Sequence, residues 1–480
     1  MVYRTLLLGI LLAVTPALAA SGPEVSADQA QQVQQQIEAW FSSTFGTPVP
    51  PGQHPVVVTP EEDHYRLTVP FQGLSDGPTP LQLTMAAQKL DASRWAIEHA
   101  GFTLPAQFTL TQPLPDQDKQ PASTVKIHYI VTAKAQDGTG LWDPSFSTTS
   151  TLSQSATGLR SEASGENLHQ VTEVALSHGT TVIQPVDTNH IDVNMEGTVE
   201  GFSQESLAEA TAFRLGIKMG RVTGAMTGVQ RDRVGAALQG TVTAWKVSQT
   251  MPKEAQGSFM TRALLDGLRG LADGFVLDET LEEISVVARG REYDVSSGRL
   301  GIEVQAVKGL ADISLSVALQ GIVGAQPSPF EMFLPSTVTL KPHVTGLTSK
   351  QLLDYLTAVF QPGSDQQALA QELLAVGGVE AGLDQFELVL GRTSLTGTTT
   401  AHFNPGGIPR ITAEISASNF DDLTTKAAAT PFAAQTTPVL LLVKGLGRIS
   451  GDRLLWSVLS DNGRTTVNGT DLSALTEGVR

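Results

Sequence analysis

The chain has no cysteine in its 480 residues. That excludes a disulfide framework, a thiolate nucleophile and any zinc site with thiolate ligands. It also excludes the lipid-modified cysteine of a bacterial lipoprotein. A basic cluster is missing too. The formal net charge is -17, and Lys and Arg are scattered along the chain. Nucleic acid needs a positive footprint, which this chain does not offer. Overall charge likewise argues against adhesion to anionic lipid surfaces. Long apolar runs are absent after the first segment. The longest aliphatic run, residues 439–443, stops at Lys444 and has the length of a strand. A spanning helix needs roughly 20 apolar residues. The metalloprotease pattern H-E-x-x-H, calcium-loop, P-loop and G-x-G-x-x-G patterns are also absent.

The first residues are of another kind. Arg4 supplies positive charge, residues 6–14 form an apolar core, and Pro16 breaks a helix. Ala17, Leu18 and Ala19 then form an A-x-A cleavage site. These are the three parts of a secretory signal peptide, with cleavage expected after Ala19. The core is too short to cross a bilayer. The expected location is therefore the periplasm or the extracellular space, with no integral membrane segment left after cleavage.

The whole chain is 41% apolar and only 16% charged, enough to bury a sizeable core. Its dominant pattern alternates with period two, the mark of a strand with one buried face. Ile191, Val193, Met195 and Val199 alternate with polar residues, as do Ile313, Leu315, Val317 and Leu319. Further cases are Ile302-Val304-Ala306, Ile411-Ala413-Ile415, Tyr65-Leu67-Val69, Leu81-Leu83-Met85, Val125-Ile127-Tyr129-Val131 and Val338-Leu340. Such strands belong to antiparallel sheets with one wet face. Asp461-Asn462-Gly463 and Gln136-Asp137-Gly138 read as hairpin turns.

Helices are fewer. Residues 26–45 carry an apolar stripe of Val33, Ile37, Trp40, Phe41 and Phe45, with Ser26 and Gln29 placed as a capping box. Residues 259–275, 348–360 and 364–376 give three more candidates. Gly201-Phe202-Ser203 before Leu207 and Gly346-Leu347-Thr348 before Leu352 both read as a staple opening a helix after a strand. Residues 419–423 and 470–475 are looser versions. The expected fold is α+β and β-dominated, with large antiparallel, curved sheets built from strand–hairpin–helix units and a few covering helices. The expected organisation is a signal peptide at 1–19, an N-terminal helix with antiparallel strands at 20–115, a β-rich middle region at 122–250, and a β-rich C-terminal region with amphipathic helices at 251–480. Residues 112–121 read as the clearest linker.

No residue set points to catalysis. Gly73-Leu74-Ser75-Asp76-Gly77 matches G-x-S-x-G, but that motif needs a helix after the serine. Pro78 and Pro80 follow instead, so a turn between strands is expected. Asp187, His190 and Asp192 lie close in sequence, with His169 and His178 upstream, but without metal-ligand spacing. Residues 61–64 (Glu61, Glu62, Asp63, His64) read as a solvated turn. The expectation is no catalytic, cofactor-binding or metal residue and no cofactor.

One resemblance adds to this. The segment 439–443, then Leu454-Leu455-Trp456, the turn at Asp461-Asn462-Gly463 and Val467-Asn468-Gly469-Thr470-Asp471-Leu472 resembles the terminal repeat of exported bacterial proteins of the domain-of-unknown-function type. His64-Tyr65-Arg66-Leu67-Thr68-Val69-Pro70 and Arg94-Trp95-Ala96-Ile97 have the same character. These proteins are similar to AsmA-like envelope proteins. The resemblance implies a long curved sheet with an apolar inner face and a lipid-handling role. AsmA-like proteins keep an N-terminal anchor, whereas this signal reads as cleaved. Three functions follow as expectations: a periplasmic, non-catalytic protein binding lipid, another apolar ligand or an envelope partner; an envelope or secreted hydrolase without a linear motif; or a structural scaffold.

Overall fold

The structure is a computed structural model that describes residues 25–45, 56–70, 76–79, 82–90, 94–113, 124–143, 148–166, 168–208, 211–231, 233–234, 270–288, 290–307, 310–324, 333–348, 350–352, 355, 368, 373, 378–404 and 409–472. The signal segment, the core of the linker and Gly73–Ser75 lie outside them. The chain divides into two units, Met1–Asp273 and Gly274–Arg480. Both are β-dominated, as the alternating pattern predicts.

The first unit opens with helix α1 (Ala27–Phe45). Ser26 caps it, accepting the Gln29 amide at 3.3 Å. Twelve strands follow: β1 (Val57–Pro60), β2 (Tyr65–Pro70), β3 (Asp76–Thr79), β4 (Gln82–Lys89), β5 (Trp95–Phe102), β6 (Ala106–Pro113), β7 (Thr124–Thr132), β8 (Ala135–Asp143), β9 (Thr148–Gly165), β10 (Leu168–Pro185), β11 (His190–Ala208) and β12 (Thr211–Gln230). All pairings among them are antiparallel, and one path runs β1-β2-β4-β5-β8-β9-β10-β11-β12. The far half of β9 pairs instead with β7, which leads to β6 and β3. The ladder forks at Lys134, whose amide bonds the Thr157 carbonyl.

The core of this unit sits under α1. Ala30, Val33 and Ile37 are buried against Tyr65, Leu67, Leu83, Met85, Trp95 and Trp142. Burying a side chain such as Val33 or Ile37 contributes about 1.5–3 kcal/mol each. The Tyr65 hydroxyl closes the seam, donating to Gln29 Oε1 at 2.8 Å and accepting the Ser26 amide at 3.2 Å. A second cluster of Ile183, Ile191, Val193 and Val229 packs where β10, β11 and β12 meet.

The long strands β9–β11 are crossed by a row of irregular residues. Gly158 and Gly201 have left-handed φ angles of 57° and 59°, and Ala175 lies between them on β10. A Cβ on Gly201 would stand 2.9 Å from that of Ala175. Glycine in a strand interior marks such a bend or close approach. The staple expected at Gly201-Phe202-Ser203 is therefore corrected: the chain continues as β11, because Gly201 serves the row and Phe202 pairs with Ile217. The turn expected at Gln136-Asp137-Gly138 is corrected as well. These residues lie inside β8, and Gly138 is required because a Cβ there would meet the Ala100 carbonyl at 2.8 Å.

The second unit contains β13 (Gly274–Ala288), β14 (Arg291–Val307), β15 (Leu310–Gln320), β16 (Val323–Gly324), β17 (Thr337–Thr348), β18 (Val379–Leu390), β19 (Thr393–Phe403), β20 (Arg410–Ser418), α2 (Phe420–Ala428), α3 (Ala433–Leu446), β21 (Arg448–Ser450), β22 (Arg453–Asp461), β23 (Arg464–Val467) and β24 (Thr470–Asp471). Its antiparallel path is β13-β14-β15-β17-β18-β19-β20-β22-β23-β24. The Asn462-Gly463 turn forms as expected, with φ angles of 51° and 79°. At Thr348, where a helix start is expected, a capping box forms: Gln351 accepts the Thr348 amide at 2.8 Å, and Thr348 Oγ1 accepts the Gln351 amide at 3.2 Å. Two expectations change. Phe275, placed at a helix end, begins the strand body of β13, and residues 439–443, placed in a strand, form part of α3.

Candidate functional site

Residues directly paired in an antiparallel sheet share a face. The registers of the second unit therefore sort its side chains into two surfaces of opposite character.

One surface is apolar. A single row crosses from β13 to β22 through Glu279, Leu300, Val317, Leu340, Phe386, Gly397, Ile415 and Trp456. The next row holds Leu281, Gly298, Leu319, Val338, Leu388, Leu395, Ala417 and Leu454. At the β20–β22 end this face is sealed. Phe420 and Leu423 of α2 join Ala417, Leu454 and Trp456 in a buried cluster, with the Phe420 and Trp456 rings 5.6 Å apart. Elsewhere the face is half-buried, and Leu315 and Leu340 remain 38% and 36% exposed. Glu279 is the charged member of its row, and desolvation raises its carboxyl pKa above the usual carboxylate range.

The opposite surface carries the polar side chains and opens as a groove of 500 Å³, which Val276, Leu277, Ile302, Leu315 and Val317 also help to line. Small residues, Gly301, Ser314, Ser316 and Ala318, form its floor. A Cβ on Gly301 would collide with the Ser316 hydroxyl. Long side chains bound it: Asp278, Arg299, Glu303, Lys341 and Gln385. Arg299 grips both oxygens of Asp278 in a forked pair. The guanidinium pKa is raised by that hydrogen bond and charge. Beside the groove stands a histidine–carboxylate chain on β17, β18 and β19. His343 Nδ1 is 2.8 Å from Asp384, close enough for an ion pair but misaligned for a hydrogen bond. Its Nε2 is 3.7 Å from Glu380, which also pairs with His402 at 2.9 Å. Among the described residues no group of three or more histidines and carboxylates is arranged to hold a metal ion. The groove's charges largely neutralise one another.

The residues singled out in sequence fall elsewhere. His190 Nδ1 contacts Asp187 at 2.9 Å, while Asp187 also accepts the amides of Asn189 and His190. Those bonds hold the Asp187 carboxyl below its usual range, the Asn189 amide contributing most. Asp192 turns away and accepts the Gly228 amide at 2.9 Å. His169 and His178 lie in the body of β10, opposite Leu207 and Thr198. The structure therefore does not bring this set together. Residues 61–64 form an exposed ion network in which His64 meets Asp63 and Glu61, each at 2.8 Å. The Asp63 hydrogen bond raises the His64 pKa. Asp76 begins β3, so a strand rather than a helix follows the G-x-S-x-G serine. The histidine–carboxylate chain and the Asp278–Arg299 fork escaped sequence reading because only strand register brings them together.

Neither family models, nor curated proteins, nor solved structures compared with this chain gave a match. Among the described residues no helix is long and apolar enough to cross a membrane.

Proposed function

We propose that this is an exported, non-catalytic protein of the bacterial cell envelope whose C-terminal sheet accommodates acyl chains of lipid on its apolar face. The observation that carries this reading is the apolar face of β14–β22, whose two paired rows are apolar or glycine beyond Glu279 and Leu281 on β13, and on which Leu340 and the neighbouring Leu315 remain 36% and 38% exposed. Apolar surface left in water costs about 25 cal/mol per Å². A contiguous apolar surface of this kind is the usual mark of a binding site. The resemblance to AsmA-like envelope proteins implies the same role, and the signal-like segment up to Ala19 supports export.

The test is chemical. Purified mature chain is extracted and its lipids identified by mass spectrometry, and binding of a fluorescent fatty acid is then titrated. Co-purified lipid and saturable binding, weakened by Leu340→Asp, are expected. A lipid-free protein that also leaves the fluorescent fatty acid unbound sinks the reading.

A further inference from the structure

Helix α3 carries apolar side chains on its outward as well as its inward side. Its less exposed positions include Thr436, Thr437, Leu440 and Leu446, of which Leu440 and Leu446 pack against the Trp456 cluster, and none of its residues is fully buried. The Thr437 hydroxyl is shielded from solvent without a hydrogen-bond partner. Outward stand Val439, Leu441 and Leu442, each more than half exposed. Ile449 follows in β21 at 77% exposure. A surface helix of a soluble protein places charged and polar residues on its outward face instead.

The helix is also pinned in this orientation. Trp456 Nε1 donates to the Val443 carbonyl at 2.8 Å, and Asn468 Nδ2 donates to the Leu446 carbonyl at 2.8 Å. Both hold its C-terminal turn on the end of the sheet. The apolar side chains are thus presented by a fixed element.

The local charge runs against that of the chain. No Asp or Glu occurs from Leu423 through Gly451, in a protein of net charge -17. Lys444 pairs with Asp421 and Lys426 with Asp422. Arg448 and Arg453 are exposed at the rim, with Asp452 the acid nearest to them in the chain.

We infer that the outward face of α3, continued by Ile449, docks on an anionic lipid bilayer. Val439, Leu441, Leu442 and Ile449 enter the acyl boundary, and Arg448 and Arg453 meet phosphate headgroups. Two features favour a bilayer over a protein partner. The patch is aliphatic, whereas protein hot spots are rich in Trp and Tyr. Its rim carries arginine, which anionic headgroups attract. This surface acts whether or not the sheet face holds an acyl chain, so the two readings can fail separately.

The absence of native cysteine makes the test direct. Leu442→Cys and, as a control, Val186→Cys in the first unit each carry one environment-sensitive fluorophore. Vesicles of phosphatidylethanolamine with phosphatidylglycerol are expected to blue-shift the label at 442 and leave that at 186 unchanged. Leu441→Asn with Leu442→Asn is expected to lower vesicle partitioning about tenfold or more, as apolar area drives interfacial binding. Arg448→Glu with Arg453→Glu is expected to abolish the preference for these vesicles over phosphatidylcholine alone. Circular dichroism checks that each variant keeps its strands. No shift with any vesicle, or equal shifts at both labels, overturns the inference. So does a shift that follows protein concentration without vesicles and coincides with a doubled mass, which assigns the face to a second copy of the chain.

Discussion

Glu279 occupies a position where its neighbours in the row are apolar, and burial raises its pKa. The sign of the effect on stability follows from proton binding. The folded state holds the proton more tightly than the unfolded state, so stability falls as pH rises from the ordinary carboxylate value toward the raised one. Glu279→Gln is therefore expected to stabilise at pH 7, by less than about 1 kcal/mol because the group is only partly buried. Urea unfolding at pH 7 and pH 4 checks this, and the gain should vanish at the lower pH. The position was legible in sequence: Phe275, Leu277, Glu279 and Leu281 alternate. Reading Phe275 as the end of a helix concealed the pattern. Asn468 was less legible. Its sequence context is a turn, yet its side chain bonds the Ser457 amide and the Leu446 and Leu455 carbonyls. Asn468→Ala is expected to cost about 1–3 kcal/mol, since it leaves those backbone groups without their partner. Thermal unfolding measures that cost, and faster amide exchange in α3 would show where it falls.

At the scale of elements, most strands could be read because alternation survives wherever one sheet face is drier than the other. The errors have specific causes. Residues 439–443 are a short, wholly apolar run, and such a run does not distinguish strand from helix by periodicity. The helix forms despite Thr436, Thr437 and Pro438, and the tertiary bonds from Trp456 and Asn468 hold it. At Gly201 the local pattern imitated a helix entry, while the glycine answered a demand from Ala175 on the neighbouring strand. Gly201→Val tests this account directly. It combines an unfavourable left-handed φ with a collision, and should destabilise by about 2 kcal/mol or more. Gly290→Ala is a useful comparison, because its φ is also left-handed at 73° but nothing lies within 4 Å of its would-be Cβ. Denaturant midpoints of the two variants separate backbone strain from steric contact, and equal midpoints would remove the steric part of the argument.

For the whole molecule, the alternating pattern predicted β dominance, and composition a core that needs no disulfide. Each unit has its own buried cluster, around Trp95 in the first and around Trp456 in the second. The two apolar rows were only partly legible, since alternation identifies the drier side of each strand but not how far neighbours extend it. The pairing order carries a consequence for assembly. From β9 to β12 every strand pairs with the one next in the chain, whereas β5 must wait for β8. Closing short loops costs little entropy compared with long ones. Pulse-labelled refolding should accordingly protect amides of β10 and β11 before those joining β5 to β8, and the reverse order would contradict this. Because each of β10, β11 and β12 adds to the strand just before it, the newest edge of this ladder is covered as soon as the following strand forms, which limits the time in which that edge can recruit another chain.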